Sequence, residues 1–205
     1  MLRGTGLECT RGGRRLFSSL SFDLAAGALL QVRGANGSGK TSLLRIVCGL
    51  LTPDAGEISW DGRGISGLGE EYRARLAYVG HLNAVKDELD PGENLRYSSQ
   101  IAGVSATAAE LDEALRTFGL DRARLPCKLL SQGQKRRAAL ARLKLSHPRS
   151  LWVLDEPFSA LDAEGVAVTR SLIEAQLARG GAVMFTTHQD VAFAGHTPQR
   201  IEFPS

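Results

Sequence analysis

A glycine-rich segment that ends in a lysine and a threonine carries the clearest chemical signal of the chain. It matches the phosphate-binding pattern GxxxxGK(S/T) through Gly34, Ala35, Asn36, Gly37, Ser38, Gly39, Lys40 and Thr41. Glycines let backbone N–H groups surround phosphate oxygens, and the start of a following helix adds partial positive charge. We expect Lys40 to reach the β- and γ-phosphates of a nucleotide and the Thr41 hydroxyl to bind Mg²⁺.

The segments on either side of this loop support that interpretation. Residues 28–33 form a short apolar run that predicts a buried strand, and residues 41–51 carry apolar side chains at helical spacing. A turn string at 52–56 ends the predicted helix. A glycine-rich turn with an unrelated lysine is the alternative, but a strand before the loop and a helix after it are the context that a phosphate loop requires.

Two carboxylates follow a second apolar strand. Residues 151–154 are all apolar, and Asp155 and Glu156 come directly after them. Because ligands bind at the carboxyl ends of strands in open α/β sheets, we expect both carboxylates near the phosphate loop. Asp155 is the predicted Mg²⁺ ligand, and Glu156 is the predicted general base, a role worth about 10²–10⁴-fold in rate. Taken alone, the pair is equally consistent with an ordinary strand-to-turn boundary.

The remaining elements must hold these residues in place. Alternating or buried apolar runs predict further strands at 16–24, 57–61, 76–80 and 182–186, and apolar periodicity predicts helices at 107–118, 131–146 and 166–178. Thr107 and Glu110 form a capping box at the start of one helix, and Pro148 ends another. A helical stretch between strand–helix segments predicts one α/β core with a helical subdomain.

A third string narrows the class of nucleotide-binding protein. It lies at a predicted helix start and consists of Leu130, Ser131, Gln132, Gly133 and Gln134. It resembles the LSGGQ signature of ATP-binding-cassette (ABC) ATPases, with Gln132 in place of the first glycine. Two further motifs follow in the order of that family, a D-loop at Ser159, Ala160, Leu161 and Asp162 and a switch histidine at His188. Singly, Ser131 is a helix cap and His188 an ordinary histidine; the five motifs together resemble the family.

This resemblance implies the fold and the domain organisation. It implies a P-loop NTPase of the ABC type, with a RecA-like α/β core, an antiparallel β subdomain and a helical subdomain. A single ABC domain is expected over 1–205, with the nucleotide-binding core at 1–84 and 147–205 and the helical subdomain, which carries the signature, at 85–146. The resemblance also implies that Ser131 and Gly133 complete the ATP–Mg²⁺ site of a second copy in an antiparallel dimer.

Two positions depart from the usual pattern of the family. His81 follows the predicted strand at 76–80, where most members carry the glutamine of the Q-loop. A neutral imidazole can accept a hydrogen bond from a metal-bound water, as a glutamine carbonyl does, so His81 stays a candidate site residue. Arg11 falls where an aromatic residue usually stacks on adenine. A guanidinium can stack on a base, and an exposed surface arginine is the equally weighted alternative.

These departures point to one branch of the family. The strings at 78–81, 93–95 and 187–189 resemble the ATP-binding subunit of the bacterial cytochrome c maturation system. This resemblance implies the ATPase of a haem exporter, bound peripherally to integral-membrane subunits at the cytoplasmic face of the inner membrane. Haem rests on the resemblance alone, because the chain has no CxxCH motif. Two alternatives are the ATPase of another small-molecule exporter and a soluble ABC protein acting on DNA or ribosomes.

Composition excludes several other classes of protein. The 205 residues are 43% hydrophobic and 23% charged, which excludes disordered and fibrous proteins. A net charge of +3 gives little reason to expect a nucleic-acid partner. The longest apolar run, at 24–30, is far below the roughly 20 residues of a membrane span, so we expect no direct span. The three separated cysteines predict neither a disulfide framework nor a zinc site.

Overall fold

Two β-sheets organise the computed structural model, which describes residues 1–121, 123–146 and 149–203. The antiparallel sheet contains β1 (Leu2–Arg11), β2 (Arg14–Leu24), β4 (Ala55–Trp60) and β5 (Arg63–Gly64), in the order β2-β1-β4-β5. The parallel sheet contains β3 (Leu29–Arg33), β6 (Leu76–Val79), β7 (Leu151–Leu154), β8 (Ala182–Thr186) and β9 (Gln199–Glu202), in the order β6-β7-β8-β3-β9.

The helices fall into three groups along the chain. Helix α1 (Lys40–Val47) follows β3, and two short helices, α2 (Ile65–Leu68) and α3 (Glu70–Ala74), precede β6. Three helices then form the predicted helical stretch: α4 (Pro91–Ile101), α5 (Ala108–Thr117) and α6 (Gln132–Ala141). The last helix, α7 (Ala163–Ala178), connects β7 to β8. No helix of the described ranges is long and apolar enough to cross a bilayer.

The parallel sheet separates two hydrophobic clusters. Every residue of β7 and β8 is buried, as expected of strands covered on both faces. Successive side chains point to opposite faces, so Val153 packs with α1 and the antiparallel sheet, whereas Trp152 packs with α5, α6 and α7. The helical stretch therefore shares its core with the sheet. The predicted division at 84/85 and 146/147 stays a prediction, and residue 147 lies outside the described ranges.

Capping boxes open all three helices of the helical stretch. The N-cap side chain accepts a hydrogen bond from the N3 backbone, and the N3 side chain accepts one from the N-cap backbone. The pairs are Asp90 with Glu93, Thr107 with Glu110, and Ser131 with Gln134. The Thr107 box was the one predicted from sequence, and it is confirmed.

Several helix ends differ from the prediction. Helix α1 ends at Val47 rather than at residue 51, because Gly49 takes a left-handed conformation with φ 68° and turns the chain away. Helix α6 ends at Ala141 and continues as a 3₁₀ turn over Arg142–Leu145. The predicted terminator, Pro148, lies outside the described residues. Helix α7 begins at Ala163, earlier than predicted, because the Asp162 side chain caps it.

Candidate functional site

The phosphate loop joins β3 to α1, as the sequence predicts. Gly34 opens it with φ 149°, and a Cβ at that position would lie 2.6 Å from Ser38 Oγ and 2.8 Å from Phe203 Cβ. Only glycine fits so close a turn. The segment then turns at Gly37 and leads directly into the first turn of α1, where Lys40 and Thr41 stand at a helix N-terminus. Local structure thus agrees with a phosphate-binding loop.

Lys40 folds back over this loop. Its Nζ donates hydrogen bonds to the carbonyl oxygens of Gly34 (2.8 Å) and Ala35 (3.0 Å), and the side chain is buried. Ser38 Oγ is buried as well and has no hydrogen-bond partner among the described residues. A buried hydroxyl without a partner is costly unless a ligand satisfies it. Both groups therefore suit a site that receives an anionic oxygen-rich ligand.

Asp155 joins α1 to the sheet through two hydroxyl groups. Thr41 Oγ1 donates to Asp155 Oδ2 at 2.8 Å, and Thr186 Oγ1 donates to Asp155 Oδ1 at 2.8 Å. The carboxylate is 2% exposed, and the backbone N–H of Asp155 donates to the Val79 carbonyl. Carboxylate and hydroxyl oxygens are the ligands that Mg²⁺ prefers, so Thr41 and Asp155 fit the predicted metal. Their role as metal ligands stays a prediction.

Glu156 has an unusual backbone conformation. Its φ is 51°, in the left-handed region that residues with side chains rarely adopt. The Glu156 N–H donates to Thr186 Oγ1 at 2.8 Å, and its carbonyl accepts from Arg136 Nη2 at 2.8 Å. Backbone strain of this kind persists where surrounding contacts over-determine it, and such positions cluster at active sites. The side chain of Glu156 is mostly buried, and its Oε1 lies 3.4 Å from His188 Nε2.

These side chains meet in one cavity of about 500 Å³. Its lining comprises Leu16, Asn36, Gly37, Gly39, Lys40, Thr41, Ser42, His81, Asp155, Glu156, Ser159 and His188. The cavity brings together residues predicted from five separate strings of the sequence. Leu16 and Ser42 were not predicted. Ser42 follows the fixed positions of the loop pattern and could have been included, whereas nothing in the sequence indicates that Leu16 lines the cavity.

His81 and Arg11 have different positions relative to this cavity. His81 lies two residues beyond the end of β6 and lines the cavity, as predicted for the Q-loop position. Arg11 ends β1 at the turn to β2, is exposed, and donates from Nη1 to the Thr10 carbonyl at 3.3 Å. It is not among the cavity-lining residues. An adenine contact by Arg11 stays a prediction.

The predicted signature lies at the start of α6. Ser131 is its N-cap, and Gly133 approaches the Ala160 carbonyl so closely that a Cβ there would lie 2.7 Å from that oxygen. Ser131, Gln132 and Gln134 are exposed. Within the described residues, no member of the 130–134 string lines the cavity that holds Lys40. The predicted contact of this helix start with a second copy of the chain stays a prediction.

The predicted D-loop runs from the cavity to α7. Ser159 lines the cavity, and Asp162 caps α7 by accepting a hydrogen bond from the Gly165 N–H at 2.9 Å. Arg137 Nη2 of α6 also donates to Asp162 Oδ2 at 2.6 Å. Hydrogen bonds from Arg137 and from the Gly165 N–H lower the pKa of the Asp162 carboxyl below its usual value. The D-loop and the signature helix are thus tied by a charged pair and by the Gly133 contact.

Arg136 is a site-associated residue that sequence reasoning missed. It lies on α6, is 3% exposed, and donates to backbone carbonyls beside both His81 and Glu156. Burial lowers the pKa of its guanidinium to about 10, which leaves it charged at neutral pH. Thr186, which bonds both carboxylate residues, was likewise not singled out. The contacts of both residues join strands distant in sequence, so no local pattern indicates them.

A second cavity of about 540 Å³ lies between β6, α3 and α4. Its lining includes Tyr78, Leu95, Ile101, Val104 and Arg149 and none of the phosphate-loop or acidic residues described above. It therefore lacks the groups that the predicted chemistry needs. The cavity at the phosphate loop is therefore the candidate functional site.

Comparison with known proteins agrees with this geometry. The family model of ABC transporters matches residues 17–159. The cytochrome c biogenesis ATP-binding export protein CcmA of Nitrosospira multiformis is 50% identical over 202 residues, which cover 98% of each chain. The protein of the same name from Dechloromonas aromatica is also 50% identical, again over 98% of each chain. These relatives are therefore similar to the chain over nearly its whole length.

A solved structure supports the fold. The ATP-binding subunit of an ABC transporter aligns with a TM-score of 0.79 and 27% identity, covering 91% of this chain and 79% of that one. The predicted fold class, an α/β P-loop core with an antiparallel sheet and a helical part, is thereby confirmed. The chain belongs to the ABC transporter ATP-binding proteins and, among them, to the family of the cytochrome c biogenesis ATP-binding export protein CcmA.

Proposed function

We propose that this chain is the ATP-hydrolysing subunit of a membrane ABC transporter complex, the haem exporter complex of cytochrome c biogenesis. One observation carries the proposal: Lys40, Thr41, Asp155, Glu156 and His188 line a single cavity in a chain 50% identical to relatives named for that export. ABC ATPases bind and hydrolyse ATP, and the cavity holds the groups that phosphoryl transfer to water needs.

Binding of ATP follows from the groups at the start of α1. Lys40 Nζ exchanges its bonds to the Gly34 and Ala35 carbonyls for bonds to phosphate oxygens, and Ser38 Oγ gains the partner it lacks among the described residues. Thr41 and Asp155 are the residues that hold Mg²⁺. When bound, Mg²⁺ neutralises charge on the phosphates and orients them.

Glu156 and His188 act on the water side of the phosphates. The left-handed backbone of Glu156 turns its carboxylate into the cavity, where it accepts the proton of the attacking water. His188 lines the cavity with its Nε2 3.4 Å from Glu156 Oε1, where an N–H on that nitrogen can donate to the same carboxylate. His81 completes the lining on the other side, where its imidazole can accept a hydrogen bond from water.

The site is completed by a second copy of the chain. The N-terminus of α6 offers backbone N–H groups and the Ser131 hydroxyl to an anion. Within the described residues, it does not line the phosphate-loop cavity of the same chain. A partner copy in antiparallel orientation brings this helix start to the γ-phosphate. A dimeric ATP-binding cassette solved with ADP and Pi shares the fold, with a TM-score of 0.79 and 22% identity over 92% of this chain and 88% of that one.

The test of ATP hydrolysis uses Glu156→Gln, which preserves the side-chain shape and removes the base. The variant is expected to bind ATP, to lose at least about 10²-fold in turnover, and to accumulate as a dimer in size-exclusion chromatography with light scattering. The matched control, Lys40→Ala, is expected to weaken ATP binding and to stay monomeric. Wild-type turnover in Glu156→Gln would contradict the assignment of Glu156.

The test of the haem-exporter role uses a bacterial strain that lacks its own ATPase of this family. Co-expression of this chain with its cognate membrane subunits is expected to restore covalently haem-stained c-type cytochromes and to bring the chain into the inner-membrane fraction. Glu156→Gln is expected to reach the membrane without restoring the cytochromes. An ATPase-active complex that restores no cytochromes would instead support the ATPase of another small-molecule exporter.

A further inference from the structure

The guanidinium of Arg136 binds the carbonyl ends of two neighbouring strands. Its Nη2 donates to the Asp155 carbonyl at 2.7 Å and to the Glu156 carbonyl at 2.8 Å. Its Nη1 donates to the Gly80 carbonyl at 2.9 Å and to Asn83 Oδ1 at 3.3 Å. One planar fork thus connects the residues that follow β7 with those that follow β6, and both sets adjoin the cavity at the phosphate loop.

The Arg136 fork is one of the contacts that hold the backbone of Glu156. A residue with a side chain at φ 51° is in a sparsely populated region, so neighbouring contacts must maintain it. Thr186 Oγ1 accepts from the Glu156 N–H on one side, and Arg136 donates to the Glu156 carbonyl on the other. The same carbonyl also accepts from the Ser159 N–H at 3.1 Å, so Arg136 is the side-chain part of its support. Loss of Arg136 weakens the hold on the peptide after Glu156, and a shift of that peptide redirects the carboxylate relative to the cavity.

The burial of Arg136 shows that its position has a cost. A buried charge is unfavourable unless its donors are satisfied, and Nε of Arg136 has no hydrogen-bond partner among the described residues. The side chains of Asp155 and Glu156 lie near enough to favour the charged guanidinium. The two Nη atoms of Arg136 donate to carbonyls at the strand ends, whereas its Nε donates to none of the described residues.

We propose that Arg136 is a positioning residue for hydrolysis, which holds Glu156 in its left-handed conformation and fixes the loop of His81 against it. The proposal rests on the assignment of Glu156 as the general base. Because Arg136 belongs to α6, it also connects the orientation of the base to the helix that the proposed second copy of the chain uses. A purely structural role is the competing explanation.

A comparison of the effects on kcat and on ATP affinity distinguishes the positioning role from a purely structural one. In Arg136→Gln, the ATP affinity of the purified chain is expected to stay close to wild type. Within the described residues, Arg136 donates no hydrogen bond to Lys40, to Thr41 or to the carboxylate oxygens of Asp155. The kcat of the complex with its membrane subunits is expected to fall by about 10²-fold, the usual contribution of a positioned base. Arg136→Lys keeps the charge but loses the fork, and its kcat is expected to lie in between.

Arg149 provides a matched control at the opposite ends of the same strands. Its guanidinium also binds backbone carbonyls, with Nη1 donating to Leu76 at 2.8 Å and Nη2 donating to Ala102 at 2.6 Å. Arg149→Gln removes a comparable set of bonds far from Glu156. It is expected to lower the melting temperature while leaving kcat near that of wild type. An equal loss of kcat in Arg149→Gln would overturn the specific role of Arg136.

A double-mutant cycle separates this proposal from the assignment on which it rests. If Arg136 acts through Glu156, adding Arg136→Gln to Glu156→Gln causes no further loss of turnover. If the losses of turnover in the two single variants multiply in the double variant, the positioning role is overturned. Equal losses of ATP affinity and kcat in Arg136→Gln would overturn it as well. Unchanged turnover in Glu156→Gln alone would instead overturn the assignment of the base. Should Arg136→Gln fail to fold, the same cycle with Arg136→Lys gives the same decision.

Discussion

Thr41 Oγ1 and Asp155 Oδ2 lie 2.8 Å apart in a hydrogen bond that spans 114 residues of sequence. The bond joins the first turn of α1 to the residue that follows β7. It places a hydroxyl and a carboxylate, both oxygen ligands suited to Mg²⁺, side by side. The predicted role of the two groups as metal ligands gives the first prediction.

Replacing Thr41 with valine is expected to remove most of the Mg²⁺ dependence of ATP binding. Valine keeps the branched shape but has no oxygen for the metal, so ATP affinity with Mg²⁺ should fall about tenfold or more, toward the affinity measured in EDTA. Isothermal titration calorimetry with and without Mg²⁺ measures both affinities. Thr41→Ser is the control, since it keeps the hydroxyl. Full Mg²⁺ dependence in Thr41→Val would contradict the assigned ligand.

Ser131 is expected to act on the nucleotide of a partner chain. Ser131→Arg and Lys40→Ala each spoil both sites of a homodimer, whereas a mixed dimer of the two variants regains one intact composite site. Mixing the two inactive proteins should therefore restore part of the ATPase rate, with a maximum near equal proportions. A mixture of Lys40→Ala and Glu156→Gln is the control. Each of these changes spoils the site that contains the phosphate loop of its own chain, so a mixed dimer of the two has no intact site. Mixtures no more active than their components would exclude a shared site.

His81 is expected to tolerate glutamine better than alanine. Both imidazole and a glutamine amide can accept a hydrogen bond from water at the cavity wall, whereas alanine offers no acceptor. The kcat of His81→Gln in the assembled complex should stay within about tenfold of wild type, and that of His81→Ala should fall further, toward the 10²-fold range of a lost acid–base partner. Equal rates in both variants would reduce His81 to a spacer between the strand and the helical stretch.

The pair of Arg137 and Asp162 is expected to make stability depend on pH. Because this contact lowers the folded-state pKa of Asp162, its stabilisation is fully present above the unfolded pKa of about 3.9 and is lost as pH falls through the lowered value. Asp162→Asn keeps a capping oxygen and removes only the charge. Its urea midpoint should lie below that of wild type at pH 7, and the gap should narrow below about pH 4.

A suitable control for that measurement is Asp23→Asn. Asp23 pairs with Arg3 on the surface, where both side chains are 56% exposed, and exposed pairs contribute little. Its midpoint is expected to stay close to wild type at either pH. A gap between wild type and Asp162→Asn that does not change from pH 7 to below pH 4 would show that the charged pair contributes nothing.

The parts of the site that could be predicted are those encoded in short contiguous strings. The eight residues from Gly34 to Thr41 contain the loop, the helix start and the charged group. The apolar run of β7 predicts a strand whose carboxyl end is followed by Asp155 and Glu156. The capping box at Thr107 likewise needs only residues three apart. In each case the physical cause of the structure lies within one turn or one strand of the residue it explains.

Features set by long-range contact could not be predicted. Arg136 belongs to a helix whose sequence shows no sign of the strand ends it binds, and Thr186 is an ordinary strand residue until Asp155 and Glu156 lie beside it. Strand β9 was missed because three of its four residues are exposed and no apolar run marks it. The early end of α1 was missed because the apolar pattern continues past Gly49, although Leu50 is 63% exposed.

The position of β3 in the parallel sheet has a consequence for how the protein is made. This strand, which leads into the phosphate loop, lies between β8 and β9, and its partners are Val183 to Thr186 on one side and Gln199 to Glu202 on the other. During synthesis on the ribosome, β3 emerges about 150 residues before β8 and about 170 residues before β9. The loop is therefore translated early but acquires its supporting strands last. A nascent chain interrupted before β8 would display the whole phosphate-binding string and still have no scaffold on which to bind a nucleotide.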